Sequence, residues 1–423
     1  MELKLAAINS PSKVSFFRYF AVVSASILIM LCAGSVYAWS IFVAPLKTDF
    51  GFTTTQTQIV YGLIIGIFTV GMLFVNKILR KYGPRISSII GAVLFFSGYM
   101  VASLSNGNLT MLILGMSLLS GVGMAFGYVT VLNNLVKWFP RHKGLATGLA
   151  VSGFGGGAIL LSQIARPLLA SGWQVLDIFR VVGIIYGILF LLGSLVLSVP
   201  AGYQAKPEEA RVDVRRMLKD KRFWVLFYVF FAGTFAGLLF NGNLKPIGQS
   251  YGVSADAAVI AISLFSIGNA AGRILWGVIH DLIGGKKSVA ISLSLLAVCM
   301  VLLLVGSRND ISFMIITFLL GLNFGANFVT YAADVADYWG VARLDIIYPA
   351  ISIAYGIAGI IGPIVGGFIK DATGTYYSAI IIGAFVCLSG MGVYALLMPG
   401  KVSKSIQDTS KNAAGLVLPK TEP

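Results

Sequence analysis

The chain has 423 residues, of which 57% are hydrophobic and only 11% are charged, and its mean hydropathy is +0.88. A soluble domain carries about a quarter charged residues, so this composition excludes an ordinary soluble protein. The apolar runs are long and do not alternate with polar residues, which favours transmembrane helices over the strands of a β-barrel. We therefore expect an all-α integral membrane protein in a lipid bilayer.

Twelve apolar runs are long enough to cross a hydrocarbon layer of roughly 30 Å, which takes about 20 residues of helix. In chain order they lie near residues 17–46, 55–77, 86–104, 109–137, 143–169, 178–199, 223–249, 254–280, 287–306, 311–337, 346–370 and 376–398.

The net charge of +15 is distributed unevenly along the chain. Most of the 31 Lys and Arg residues fall on one side of the expected membrane, in segments such as 77–85, 140–144 and 206–222. The positive-inside rule then predicts that both termini lie in the cytoplasm. Attraction to anionic lipids accounts for the charge, so we expect no nucleic-acid partner.

The second half of the sequence repeats the first at an offset of about 200 residues. "PLKTDFGFT" from Pro45 aligns with "PIGQSYGVS" from Pro246, and "GVGMAFGYVTV" from Gly121 aligns with "GLNFGANFVTY" from Gly321. The pattern indicates a duplicated unit of six helices. We predict an N-terminal six-helix bundle, a cytoplasmic linker, a C-terminal six-helix bundle and a cytoplasmic tail, at residues 1–199, 200–222, 223–399 and 400–423.

One motif gives this architecture a family resemblance. "GVIHDLIGGKK", from Gly277 to Lys287, resembles the signature of the major facilitator superfamily, whose fold has twelve transmembrane helices in two pseudo-symmetric bundles and a substrate site between them. The resemblance implies that Asp281 helps to latch the cytoplasmic side by bonding a helix end. The first half has Arg80 at the equivalent position and cannot make the same latch. A plain loop charge is the other interpretation of Asp281.

Arg273 is the only charged residue in the 21 residues from 259 to 279. A guanidinium at the centre of a bilayer costs about 2.5 to 3.5 kcal/mol on insertion scales, so it needs a water-filled cavity or an anion. Asn269 lies one helical turn before it. We expect Arg273 to be the counter-charge of an anionic substrate, and the alternative is a structural pair with Asp334, the only deep acidic residue.

Further polar residues are candidates for the lining of a central cavity. Asn327, Tyr331 and Asp334 share one helical face, and Tyr37, Tyr128 and Tyr355 lie in other spans. Phenol donors with one guanidinium in an apolar pocket suit a small monoanion with a short carbon tail. We therefore predict that the substrate site contains Arg273, Asn269, Tyr128, Tyr37, Tyr355, Tyr331 and Asn327.

Longer segments resemble the oxalate/formate antiporter family and its monocarboxylate-transporting relatives. The resemblance is carried by "GSVYAWSIFVAPLKTDFG" (34–51), "GYVTVLNNLVKWFPRHKGLATGLAVSGFG" (127–155) and "GRILWGVIHD" (272–281). It implies that Arg273 is the carboxylate-binding arginine of helix eight, and that Tyr37 and Tyr128 are aromatic residues of the pocket. The pairing of Asn269 with Arg273 is similar to bacterial lactate-type members.

The sequence departs from the oxalate-type pattern at three positions. Tyr355 stands where that pattern has a lysine, and Val36 and Ile65 stand where it has glutamines. One positive charge balances one carboxylate, whereas a dianion would leave a net charge in a medium of low dielectric constant. We favour lactate, pyruvate or a similar monocarboxylate, and an oxalate/formate-type antiporter is the alternative.

The expected mechanism is alternating access, in which an anion neutralises Arg273 and allows the pocket to close and reopen on the other side. Neutralisation alone would make the protein an exchanger. Net symport also needs a group that binds a proton, for which the sequence offers Asp334, Asp337 or Asp256. We therefore assign gating or coupling roles to Asp281, Asp334 and Asp337, with a proton as the second possible partner.

Other function classes find less support in the sequence. A carboxylate sensor would need an output domain, an enzyme would need a nucleophile with its base, and an ATP-driven pump would need a phosphate-binding loop. A drug or cation exporter would carry a buried carboxylate. The three cysteines (Cys32, Cys299 and Cys387) are scattered over the spans, so we expect no metal site and no cofactor. We expect a monomer in the cytoplasmic (inner) membrane of a bacterium.

Overall fold

The computed structural model describes residues 16–139, 143–200, 214–306, 309–340 and 343–398, and every regular element in these ranges is helical. Ten of the described helices are long and apolar enough to cross a membrane. One of them, Thr54–Ser103, has 50 residues and leaves helical geometry at Gly83, directly before Pro84. A straight helix of that length would measure about 75 Å, so it makes two spans.

With the bend counted and with the 28-residue helix Lys143–Ala170 added, the described chain has the twelve spans that the sequence predicts, in an all-α fold. The predicted tail, 400–423, and most of the predicted linker lie outside the described residues.

We number the spans α1 to α12. α1 comprises Phe16–Gly34, Ser35–Ala38 and Ser40–Phe50; α2 is 54–82 and α3 is 84–103; α4 comprises Leu109–Leu112, Ile113–Ser120 and Gly121–Trp138; α5 is Lys143–Ala170; α6 is Val175–Val196; α7 is Lys221–Gly242, preceded by Val214–Lys219 and followed by Leu244–Ser250; α8 is Ala255–Ile283; α9 is Gly285–Gly306; α10 is Asp310–Trp339; α11 is Leu344–Thr373; α12 is Tyr377–Leu397.

Local capping signals explain where several spans begin and end. Thr53 accepts a hydrogen bond from the backbone of Gln56, whose side chain bonds back to Thr53, which is a capping box at the start of α2. Ser254 accepts from the backbone of Ala257 at the start of α8. At the other end of α1, Gly51 takes a left-handed conformation with φ of 70° that terminates the helix.

The outer surface of the bundle is apolar, as contact with lipid requires. Phe385 and Leu396 on α12, Ile188 on α6 and Ile274 on α8 are all exposed. In a soluble protein such residues would mark an interface, whereas here they cover spans on all sides.

The two halves, α1–α6 and α7–α12, meet along helices that approach closely through glycines. On α2, Gly62 lies against the backbone of Gly359 and Ile360 on α11, and Gly155 on α5 lies against Ala270 on α8. Small residues allow this approach inside a membrane. We call the end of the bundle that carries connections 51–53 and 251–254 the far face. The opposite end, where α6 ends and α7 begins, is the linker face.

Candidate functional site

Close packing of α8 against α10 fixes the position of Arg273. Gly272 on α8 and Gly325 on α10 lie so near the partner backbone that a Cβ atom would overlap the carbonyl oxygen of Leu322 or of Asn269. Backbones in direct contact leave little freedom for either helix. Arg273 follows Gly272 directly on α8, so this packing also fixes the backbone from which its side chain extends.

The guanidinium of Arg273 is buried, with 3% of the residue exposed. Its Nε donates a hydrogen bond to Asn269 Oδ1 at 3.2 Å, and its central carbon lies 4.3 Å from the centroid of the Phe328 ring, a cation–π contact. Nη1 and Nη2 are buried without any hydrogen-bond partner in the described part of the chain, as is Asn269 Nδ2. Three nitrogen donors are thus free to bind an acceptor.

Asp334 does not neutralise Arg273. Its Oδ1 lies 3.2 Å from Nε2 of His280, and its Oδ2 accepts a hydrogen bond from the hydroxyl of Tyr394. His280, Asp334 and Tyr394 are all buried. The alternative in which Arg273 forms a structural pair with Asp334 is therefore wrong in this conformation, because the carboxylate is bonded elsewhere.

Tyrosines from both halves surround the guanidinium. The hydroxyls of Tyr37 on α1 and Tyr355 on α11 lie 3.2 Å apart, and both residues are buried. Tyr37, Tyr355 and Tyr128 on α4 are all close enough to Arg273 to interact with its charge. Neither Nη atom of Arg273 makes a hydrogen bond to the Tyr37 hydroxyl. The structure thus brings together five of the predicted site residues: Arg273, Asn269, Tyr37, Tyr128 and Tyr355.

Sequence reasoning missed several aromatic residues of this cluster. Phe154 on α5 packs edge-on against Tyr37 and Tyr128, with ring centroids 5.5 and 5.3 Å apart, and Phe68 on α2 stacks on Phe154. Tyr348 on α11 also interacts with the charge of Arg273. The signal for Phe154 was its position as the one large residue in the segment "SGFGGG".

Two predicted site residues lie elsewhere. Nδ2 of Asn327 donates to the Phe324 carbonyl, and the Tyr331 hydroxyl donates to the Val229 carbonyl on α7. Gly233 on α7 has no room for a Cβ because Asn327 Oδ1 lies against it. In the structure Asn327 and Tyr331 thus make contacts within α10 and with α7, and their role in binding stays a prediction.

The predicted gating residues lie at the linker face. The side chain of Asp281 is 88% exposed, and its nearest charged contact is His280 Nδ1 at 4.0 Å. In this conformation Asp281 makes no hydrogen bond to a helix end within the described residues. Asp337 is exposed, and its carboxylate lies within 4.8 Å of ligand atoms on His280 and Asp334, a spacing that a metal ion could use. Both Asp334 oxygens already face protein partners there.

A cavity lies inside the first half, and Arg273 is not among the residues that line it. It is lined by residues such as Val36, Trp39, Met116 and Leu161, and none of its lining residues is charged. An anion would find no counter-charge there, so the cluster around Arg273 is the candidate site.

Comparison with known proteins identifies the family. The model of the Major Facilitator Superfamily matches residues 25–261 and again residues 236–421. The "Oxalate:formate antiporter" of Oxalobacter formigenes is 26% identical over 390 residues, covering 90% of this chain and 92% of that protein. "Monocarboxylate transporter 2" of Meriones unguiculatus is 23% identical over 388 residues, covering 84% and 78%. "Monocarboxylate transporter 13" of Bos taurus is 22% identical over 395 residues, covering 90% and 89%.

The family match agrees with the twelve spans and with a charged cluster enclosed between two halves. Members of this superfamily are transporters, so the resemblance seen in the sequence is confirmed at the level of the superfamily. The chain belongs to the Major Facilitator Superfamily and is a multi-pass membrane transporter, not an enzyme.

Proposed function

We propose that the protein carries a small monocarboxylate anion, such as lactate or pyruvate, across the membrane by alternating access. The observation that carries this proposal is the buried guanidinium of Arg273, whose Nη1 and Nη2 have no partner among the described residues. A carboxylate accepts two parallel hydrogen bonds from the two arms of a guanidinium, so it matches these atoms in both charge and shape.

The energetics favour a bound anion at this position. An unpaired buried donor costs about 1 to 3 kcal/mol, and an arginine in a membrane carries its own insertion cost. Asn269 binds Nε of Arg273 and so fixes the plane of the guanidinium. The two remaining arms are thereby oriented before the substrate arrives, which lowers the entropy lost on binding.

The surroundings of Arg273 favour a monoanion with a short carbon tail. Phe154 and Phe328 supply apolar surface, and Tyr37 and Tyr128 supply phenol groups. At the position where the oxalate-type pattern has a lysine, Tyr355 bonds to Tyr37 instead. A dianion would leave one negative charge unbalanced, which costs several kcal/mol at an effective dielectric constant of about 20.

Oxalate/formate exchange is the second candidate, and the relative named "Oxalate:formate antiporter" supports it at 26% identity. Competition separates the two candidates. A monocarboxylate carrier is inhibited by unlabelled pyruvate and only weakly by oxalate, whereas an oxalate exchanger is inhibited most strongly by oxalate.

The positive-inside rule gives the orientation that we propose: the linker face and both termini lie in the cytoplasm of a bacterial cell, and the far face lies outside. We also propose that the transporter works as a monomer, because the Arg273 site is built from the two halves of one chain.

The proposed site is compatible with two modes of coupling. In exchange, the anion alone neutralises Arg273 and permits the conformational change. In proton symport, a second group binds a proton when the site fills, and the buried pair of His280 and Asp334, with Asp337 and Asp281 beside it, is our candidate.

Uptake of labelled L-lactate into proteoliposomes tests the proposal. An inward proton gradient is imposed on empty vesicles in one arm, and lactate, formate or oxalate is trapped inside in the others. If the proton gradient drives lactate accumulation in empty vesicles, the result supports symport. If lactate is taken up only against a trapped anion, the result supports exchange. Absence of lactate uptake in every arm, from protein that is folded, contradicts the proposed substrate.

A further inference from the structure

Buried hydrogen bonds join the two halves between the Arg273 site and the far face. The Tyr61 hydroxyl on α2 donates to Asn241 Oδ1 on α7 at 2.6 Å, and Asn241 Nδ2 donates to the Tyr37 carbonyl on α1 at 3.1 Å. All three residues are fully buried. One amide side chain of the second half therefore holds two helices of the first, and we call these three residues the far-face clamp.

The backbone beside the clamp also contacts the other half closely, at Gly242 on α7. Gln58 Nε2 donates to the Gly242 carbonyl at 2.9 Å, and a Cβ at Gly242 would lie 2.6 Å from Gln58 Oε1 and 2.8 Å from the ring of Tyr61. This contact seals the seam between α2 and α7. A path from the far face to Arg273 requires these groups to separate.

Bonds at the rim of the far face also join the two halves, between α2 and α11 and between α5 and α8. The Asp371 carboxylate on α11 accepts from the backbone nitrogens of Thr54 and Thr55, at 3.1 and 2.7 Å. Arg166 pairs with Asp256 at 2.7 Å. Both contacts are partly or fully exposed, and exposed ion pairs contribute little. The buried clamp is the stronger restraint, because its polar groups lose their partners when the halves part.

Tyr37 belongs to both the clamp and the substrate site. It lies in the short segment Ser35–Ala38, where α1 departs from α-helical geometry, and its side chain reaches Tyr355 and the charge of Arg273. Its carbonyl is held by Asn241. A ligand that moves the Tyr37 ring therefore acts on the backbone that Asn241 binds.

We propose that Asn241 is a positioning residue that holds the far face closed and senses, through Tyr37, whether the Arg273 site is occupied. The inference rests on the proposed function for its second part, since the occupant is the anion at Arg273. Its first part, closure of the far face, does not depend on the identity of any substrate.

The chain offers a matched control for Asn241. Asn243 is also fully buried at the end of the same helix, but its Nδ2 donates to the carbonyls of Leu239 and Pro363, both in its own half. Asn241→Ala removes bonds between the halves, whereas Asn243→Ala removes bonds within one half. Tyr61→Phe removes one of the two clamp bonds and keeps the ring, as a milder variant in case Asn241→Ala folds poorly.

The readout is the accessibility of a cysteine placed below the clamp. Ile65 on α2 is fully buried against Gly359 on α11, so Ile65→Cys reports separation of α2 from the second half. The native cysteines Cys32, Cys299 and Cys387, all buried, are first replaced by alanine. A membrane-impermeant maleimide is applied to intact cells and, separately, to inside-out vesicles, and labelling is normalised to folded protein.

We expect Asn241→Ala to raise the labelling rate from the far face roughly tenfold or more, and Tyr61→Phe to raise it by a smaller factor, while labelling from the linker face falls. Asn243→Ala should leave both rates unchanged. Equal labelling of the Asn241 and Asn243 variants, or a rise from both faces together, would overturn the clamp.

Saturating L-lactate tests the link to the site. It should change the labelling rate of the protein with an intact clamp and have little effect on Asn241→Ala. An equal response in both overturns the link through Tyr37. If a direct binding measurement shows that lactate does not bind to the intact protein, the proposed function fails, while the labelling without substrate still decides whether Asn241 closes the far face.

Discussion

The second half of the molecule buries two opposite charges on the same pair of helices, but only one of them has its hydrogen bonds satisfied. Arg273 on α8 and Asp334 on α10 are 3% and 1% exposed. Asp334 faces an imidazole and a phenol, whereas both Nη atoms of Arg273 have no partner in the described chain. His280, the partner of Asp334, lies seven residues after Arg273, about 10 Å along the same helix.

The difference shows that burial alone does not identify a binding site. A buried charge with its hydrogen bonds satisfied stabilises the contact between helices, and here Asp334 links α8, α10 and α12. A buried charge with free donors is costly unless a ligand satisfies them. The first arrangement is complete within the protein, and the second leaves donors for the anion that we propose.

The largest expected effect comes from Arg273→Gln. Removing one partner of a buried, hydrogen-bonded ion pair costs about 2 to 5 kcal/mol, so kcat/KM for lactate should fall roughly a hundredfold or more. The melting temperature should stay the same or rise, because the unpaired cation is gone. Uptake kinetics and thermal unfolding of the purified protein measure both quantities.

Arg273→Lys is the matched control for that change, since it keeps the charge and loses the planar fork. We expect transport between that of the native protein and that of Arg273→Gln. Unchanged affinity and rate in Arg273→Lys would show that the guanidinium does not bind the substrate.

A second large effect is expected from Asn269→Asp, which gives Arg273 a hydrogen-bonded partner of opposite charge. Both buried charges, Arg273 and Asp334, would then have partners within the protein. The substitution keeps the shape of the side chain and places a carboxylate oxygen where Asn269 Oδ1 now lies, 3.2 Å from Nε of Arg273. The new carboxylate competes with the substrate, so KM for lactate should rise roughly tenfold or more while stability increases. Asn269→Ala removes the oxygen without adding charge and should raise KM less. A KM for Asn269→Asp no higher than for Asn269→Ala would argue against an unpaired arginine.

The opposite result is expected for Asp334, whose hydrogen bonds are satisfied: stability should change and KM should not. Asp334→Asn weakens the bonds to His280 and Tyr394, so the free energy of unfolding should fall by about 1 to 3 kcal/mol. KM for lactate in anion exchange should be unchanged, because Asp334 does not contact Arg273. Asp337→Asn, at an exposed position of the same helix, is the stability control. A large rise in KM for Asp334→Asn at unchanged stability would place Asp334 in the binding site.

The sequence predicts some of these features well for physical reasons. A run of about 20 apolar residues rarely forms anything other than a transmembrane helix, so the twelve spans could be found without coordinates. Arg273 stands out because a single charge in such a window is rare and costly. Asp334 stands out in the same way, but its partners come from α8 and α12, and nothing in the sequence pairs them with it.

The aromatic cluster and the helix faces are harder to predict. Aromatic residues are 12% of the chain, and only the packing of α1 against α5 brings Phe154 to Tyr37. Helical periodicity put Asn327 and Tyr331 on one face with Asp334, but periodicity does not say which helix that face meets. In the structure it meets α7, where Asn327 and Tyr331 pack against Gly233 and Val229.

The smallest effect is expected from a pair of Tyr→Phe variants. They compare the proposed site around Arg273 with the face of α10 that packs against α7. Tyr37→Phe removes a hydroxyl 3.2 Å from Tyr355 and beside Arg273, and Tyr331→Phe removes one bonded to the Val229 carbonyl. One hydrogen bond contributes about 0.5 to 1.5 kcal/mol, so each loss should be modest. We expect Tyr37→Phe to raise KM for lactate roughly two- to tenfold with little change in melting temperature, and Tyr331→Phe to lower the melting temperature without changing KM. If the two variants exchanged these effects, the phenol of Tyr331 and not that of Tyr37 would belong to the site, and the helical face inferred from periodicity would have been assigned correctly.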